Sequence, residues 1–248
     1  MPRGTVLKPK TDVDSVATQV IAELKSHANP ANVAGMARYG ISSAGTLGVS
    51  VPLLRSIAKR LGHDHRLALR LWNTGIHKAR ILAPMVDDPA LAGDRQMERW
   101  VRDLDSWDVC DGLCHNLLRY TPAAFDKATE WADARAEFVR RAGFALMAGL
   151  AVKARQASDS QFEAFLPLIA AAASDDRNLV KKAVNWALRQ IGKRNRRLHA
   201  KAIRTAEAIR CQGSRSARWI AADALRELRG PVVARRLGLS TVLPEPRS

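Results

Sequence analysis

Asn178-Leu179-Val180-Lys181-Lys182-Ala183-Val184-Asn185-Trp186-Ala187-Leu188-Arg189-Gln190-Ile191-Gly192 reads as one amphipathic helix. Val180, Ala183, Val184, Ala187, Leu188 and Ile191 recur at three- and four-residue steps, which places them on one stripe of a helix with about 3.6 residues per turn. Lys182, Trp186, Arg189 and Lys193 follow steps of 4, 3 and 4 and share another face. Three cations therefore flank a tryptophan on a side that the core stripe does not use. From Arg177 to Trp219 the chain carries 13 Lys and Arg against a single acid, Glu207. A stretch of this kind suits a phosphate-binding surface, where each neutralised phosphate releases counterions. The plainer alternative is a solvated helix face with Trp186 partly buried.

The rest of the 248-residue chain follows the same logic. Ala, Leu and Arg dominate, and alternating strand signals are almost absent, so the expected fold class is all-α. Breakers at Asn29-Pro30, Gly40 to Gly48, Pro52, Gly62, Asp88-Pro89, Thr121-Pro122, Ser158, Ser174 to Asp176 and Gly213 cut it into segments of helical length. Asp88-Pro89 and Thr121-Pro122 each read as a cap residue followed by proline at the first helical position. Roughly a dozen helices, in pairs of about 35 to 40 residues, fit a stacked solenoid of HEAT or armadillo type. A globular helical bundle is the alternative, because no strict consensus recurs. Residues 1–14 are expected to form a flexible extension, 15–229 a single solenoid domain, and 230–248 a loosely packed tail.

Composition narrows the partner. With 40 Lys and Arg against 24 Asp and Glu the formal charge is +16, which repels itself unless a polyanion neutralises it. Nucleic acid comes first; an anionic membrane would call for a helix with exposed Trp, Phe and Leu opposite its cations, and no segment offers one. Cys110, Cys114 and Cys211 are too few for a disulfide framework. No apolar run follows the basic N-terminus and none approaches about 18 residues, so a cytoplasmic, nucleoid-associated protein is expected.

Two further segments carry chemistry. In Ser106-Trp107-Asp108-Val109-Cys110-Asp111-Gly112-Leu113-Cys114-His115-Asn116-Leu117-Leu118, a helix would bury Val109, Cys110, Leu113 and Leu117 and align Trp107, Asp111 and His115 at four-residue steps. Asp111 then sits one turn from an indole. Asp108 reads as a capping carboxylate near the helix start. Cys110, Cys114 and His115 make a poor metal set, since two of them face the core. In the segment 137–150, Phe138, Ala142, Ala145, Leu146 and Gly149 form an apolar stripe and leave Arg140 and Arg141 at its edge. Such paired arginines are ordinarily surface charge, unless the stack brings them beside Asp111.

Together these segments resemble the DNA alkylation repair glycosylases with HEAT-like repeats. That family's tryptophan followed four residues later by aspartate fits Trp107 and Asp111. Its arginine tract fits Phe138-Val139-Arg140-Arg141-Ala142, with Arg141 the best match, and its K-A-x-x-W-x-L-R pattern fits Lys182 to Arg189. Met36-Ala37-Arg38-Tyr39 and Leu47-Gly48-Val49 fit its opening repeat, and the likeness runs in order over about residues 15 to 230. The chain departs from it in having Ser106 before Trp107, where members often have two tryptophans, and in a small, polar Gly40–Leu47 linker.

The resemblance implies a concave basic cleft that holds duplex DNA and a monofunctional release of positively charged N3- or N7-alkylated purines in base excision repair, without base flipping. Asp111 would stabilise an oxocarbenium-like sugar and place a water. Trp107 and Trp186 would flank the sugar and backbone, Arg141 would bind a nearby phosphate, and Arg140, Lys182, Arg189, Lys193 and Tyr39 would contact DNA. A composition with 5% aromatics offers no evident base pocket. The implied partner is double-stranded DNA bearing alkylated purines, with no metal, no organic cofactor and no obligate protein partner. A groove filled by a polyanion works as a monomer. The alternatives are a catalytically silent relative that binds bent or branched DNA, and a protein–protein scaffold.

Overall fold

A computed structural model describes residues 12–41 and 45–239. Fifteen α-helices run along it. They are α1 (Val13–Ser26), α2 (Pro30–Ala37), α3 (Val51–Leu61), α4 (His65–Asn73), α5 (His77–Val86), α6 (Asp94–Arg102), α7 (Trp107–Asn116), α8 (Ala124–Ala132), α9 (Glu137–Lys153), α10 (Asp159–Glu163), α11 (Phe165–Ala171), α12 (Asn178–Gly192), α13 (Arg196–Arg210), α14 (Arg215–Leu228) and α15 (Pro231–Leu237). No strand occurs among the described residues. No helix there is long and apolar enough to cross a membrane.

The chain divides into two compact units, up to Ala92 and from Gly93. In the first, α4 packs against α1 and α5, and α3 against α5, around the fully buried Leu24, Leu54, Leu71, Trp72 and Leu82. Asn29 and Pro30 realise the cap-then-proline start: the Asn29 side chain accepts from the Asn32 amide and Pro30 opens α2. The two pairs expected to do this do not. Asp87 is buried and holds His65 Nδ1 at 2.7 Å, and Asp88 folds onto the amide of Ala90 at 2.9 Å. Asp88-Pro89 thus makes a turn, and α6 starts at Asp94 after Gly93. Thr121-Pro122 likewise precedes α8, which starts at Ala124 with Ala123 as its cap.

In the second unit α9 is central and packs against α7, α8 and α12. Neighbours on several sides bury it from Arg141 to Ala151, which is why the single apolar stripe expected there understates its burial. Gly143 lets α8 come close: a Cβ on it would lie 2.6 Å from the backbone nitrogen of Ala132. Phe144 is fully buried, and truncating it to alanine would cost about 3–5 kcal/mol. The core stripe of α12 is as expected, with Val180, Ala183, Val184, Ala187, Leu188 and Ile191 all buried. α12 also packs against α13 and α14.

The segment after Gly230 is more ordered than its weak periodicity suggests. Pro231 begins α15, Val233 is buried, and Arg196 Nε donates to the Leu237 carbonyl at 2.8 Å. Residues 1–11, 42–44 and 240–248, including most of the N-terminal extension, part of the Gly40–Leu47 linker and the end of the tail, lie outside the described residues.

Candidate active site

Three helices of the second unit build the site. α7 begins at Trp107, and Ser106 and Asp108 organise its start: the Ser106 hydroxyl donates to the Asp108 carboxylate, which also accepts the Val109 amide at 3.0 Å. Val109, Cys110, Leu113 and Cys114 anchor the helix by full burial. The Cys114 thiol reaches the Ala142 carbonyl at 3.5 Å. The hydrogen bond with Cys110, together with burial, keeps that thiol well above its ordinary titration range, so it packs as a small apolar group. Among the described residues no three His, Cys, Asp or Glu side chains group so as to hold a metal ion.

With that stripe fixed, Trp107, Asp111 and His115 take the other face, each half-buried. α9 brings Arg141 to Asp111. Its Nη2 donates to both carboxylate oxygens, at 2.8 and 2.9 Å, and its Nη1 donates to the Leu179 carbonyl of α12 at 2.7 Å. One guanidinium thus ties α7, α9 and α12 together. It is only 5% exposed. The sequence reading puts Arg141 at a helix edge facing a phosphate; the structure turns it inward, because its charge is met by Asp111 and by a carbonyl. Arg140, its neighbour, turns to Asp175, with Nε 3.5 Å from Oδ2.

The Asp111 side chain keeps 23% exposure, so solvent or a ligand can reach it. Burial raises its carboxyl above the ordinary value of 3.8, against the pull of Arg141 and with a smaller push from Asp108. A charge removed from water is disfavoured, and here one cation does not fully offset that. Such a carboxylate gains more than a solvated one from a new positive charge placed beside it.

α12 supplies Trp186, half-buried. Its ring stacks on the imidazole of His115, with centroids 4.9 Å apart and planes at 26°. Lys182, one turn earlier, is exposed. Arg189 and Lys193, expected as free cations on this face, both donate to Glu227 of α14, and Asp223 lies 3.7 Å from Arg189. Acids beyond the window Arg177–Trp219 thus fold back onto its charge. Tyr39 follows α2 in the other unit and is 72% exposed. The structure therefore makes two side-chain contacts from the same face of α7, Asp111 with Arg141 and His115 with Trp186. The sequence aligns His115 with Trp107 and Asp111 on one face but gives it no role there; its stack on Trp186 comes from α12, about 70 residues further along the chain.

The family model described as "DNA alkylation repair enzyme" matches residues 20–228. No curated protein matches the chain. A solved structure described as "A new family of proteins related to the HEAT-like repeat DNA glycosylases with affinity for branched DNA structures" aligns with a TM-score of 0.71 at 20% identity, covering 85% of this chain and 94% of that one. That likeness identifies the fold as one of HEAT-like helical repeats. Since the family model spans most of its length, the chain belongs to the DNA alkylation repair enzyme family.

Proposed function

We propose that this protein is a monofunctional DNA glycosylase that releases N3- or N7-alkylated purines from duplex DNA without drawing the base into a pocket. The observation that carries the reading is Asp111: a carboxylate raised by burial, held by Arg141 and still reachable, in a chain of charge +16. An acid on such a surface weakens phosphate binding. It is useful where positive charge develops.

Alkylation at N3 or N7 makes the purine cationic and a good leaving group. The C1′–N bond breaks, its electron pair leaves with the base, and the base departs neutral. The sugar is left with oxocarbenium character, which an ionised Asp111 stabilises. A water adds to C1′, and its proton passes to the carboxylate or to solvent. Trp107 and Trp186 flank the sugar with apolar and cation–π contact. Arg141 aims the carboxylate, the role its burial supports in place of a phosphate contact. Lys182 is an exposed cation one turn before Trp186; Arg140, Arg189 and Lys193 are proposed as further DNA contacts of this unit, and Tyr39 as one of the other unit.

The test is release of free 7-methylguanine from methylated duplex DNA by the purified protein, with Asp111→Asn as control. No release by the wild type would overturn the reading. The second reading, a silent member that binds branched DNA, has in its favour the affinity for branched DNA structures described for the structurally similar protein. It expects tighter binding to a junction than to a linear duplex and no base release by any variant.

A further inference from the structure

The stack of His115 on Trp186 is built with some care. The imidazole lies with its edge on Gly149 of α9, where a Cβ would come within 3.3 Å of both Cδ2 and Nε2. Most real contacts of a Cβ are looser, so the absence of a side chain at 149 sets how deep the ring can sit. Nε2 is buried and makes no well-aligned hydrogen bond, while the Ala145 carbonyl of α9 lies close enough to the ring to favour its charged form. That edge is therefore held mainly by packing. Burial, helped by Arg119, pushes the imidazole down to about 4, so the ring meets the indole uncharged and adds no cation where positive charge is to develop.

Resting on the proposed roles of Asp111 and Trp186, we infer that His115 is a positioning residue, whose ring sets the plane of Trp186 against the face that carries Asp111. The chain thereby links the two helices that carry these groups twice. Arg141 runs from Asp111 to the Leu179 carbonyl, and His115, one turn after Asp111, reaches Trp186 seven residues after Leu179. Both links join α7 to α12, one at the carboxylate and one at the indole.

The test uses His115→Ala, His115→Phe and Gly149→Ala in the full chain, with three readouts: single-turnover release of 7-methylguanine, Kd for unmodified duplex, and the Trp186 indole N–H resonance. Small misplacements of a catalytic group cost up to about 100-fold in rate. His115→Ala is expected to slow release on the order of tenfold with Kd within about twofold, and to shift the Trp186 resonance. His115→Phe keeps a planar ring of similar size and should regain most of the rate and the resonance. Gly149→Ala leaves the imidazole in place but presses on its edge, and should slow release without weakening duplex binding. A wild-type rate in His115→Ala, a loss that His115→Phe does not regain, or a loss matched in Kd would overturn the inference. If His115→Ala does not fold, a wild-type rate in Gly149→Ala overturns it. If the wild type releases no base, the glycosylase reading fails alone. The stack is then judged by the indole resonance, which must move in His115→Ala and return in His115→Phe.

Discussion

Two acid–cation clusters flank α12, and they resolve the same competition in opposite directions. On one side Asp111 meets a single buried cation, Arg141, and burial prevails: the carboxyl rises. On the other side Glu227 also loses solvent, but Lys193 and Arg189 together outweigh that loss and its carboxyl falls. Asp111 is the more deeply placed of the two and has the fewer cations, and the balance of these, more than the presence of an ion pair, decides the sign. Glu227 is a neutralised structural acid. Asp111 keeps an unsatisfied demand for positive charge, and perturbed carboxylates of this kind mark functional sites.

The largest effects should separate the clusters by chemistry. Asp111→Asn keeps a hydrogen-bond acceptor for Arg141 but removes the charge. Release of 7-methylguanine should fall by roughly 100-fold or more, with duplex Kd within about twofold. Glu227→Gln in the same assay should leave release near wild type. Equal losses in the two variants would erase the distinction between the clusters. Next in size is Arg141→Ala. It leaves a half-buried carboxylate without its partner and frees the Leu179 carbonyl, so thermal or urea unfolding should show a loss of about 3–5 kcal/mol. Release should fall further than duplex affinity does.

These clusters also show what was legible in the chain. The α12 stripe could be read because helical periodicity is local, and all six of its expected core residues are buried. Trp107, Asp111 and His115 could be placed on one face for the same reason. Arg141 could not be read as buried: its partners lie 30 residues upstream and 38 downstream, at Asp111 and Leu179. The charge excess of the window Arg177–Trp219 was overread because Glu227 and Asp223 lie beyond it and fold back. Asp88-Pro89 shows the same limit. Its local pattern fits a helix start, and the neighbouring contact of Asp87 with His65 accompanies a turn.

A smaller effect concerns pH. The folded-state pKa of Asp111 lies above 3.8, so the folded chain takes up its proton before the unfolded chain does. The ionised group therefore lowers stability above the raised pKa, and that cost is relieved as pH falls through it. Activity runs the other way, since it needs the carboxylate. The acid limb of the release rate, corrected for spontaneous depurination, should lie above 3.8 and move higher still in Arg141→Ala, where the opposing cation is gone. A limb at or below 3.8 would mean that another group limits the reaction.

The smallest effect tests the other cluster from its own side. Arg189, Lys193 and Glu227 are each part-exposed, so the bridges among them contribute little to stability, on the order of 1 kcal/mol or less. Glu227→Gln should therefore cost little in unfolding, yet it removes the charge that holds Lys193 and leaves Arg189 with Asp223 alone at 3.7 Å. If those cations face phosphate, duplex affinity at low salt rises severalfold, and the slope of log K against log salt steepens by up to about 2. If affinity and slope both stay put, Arg189 and Lys193 serve only to hold α12 against α14. The DNA-facing part of α12 then contracts to Lys182 and Trp186, and the phosphate-binding surface must draw its charge from other helices.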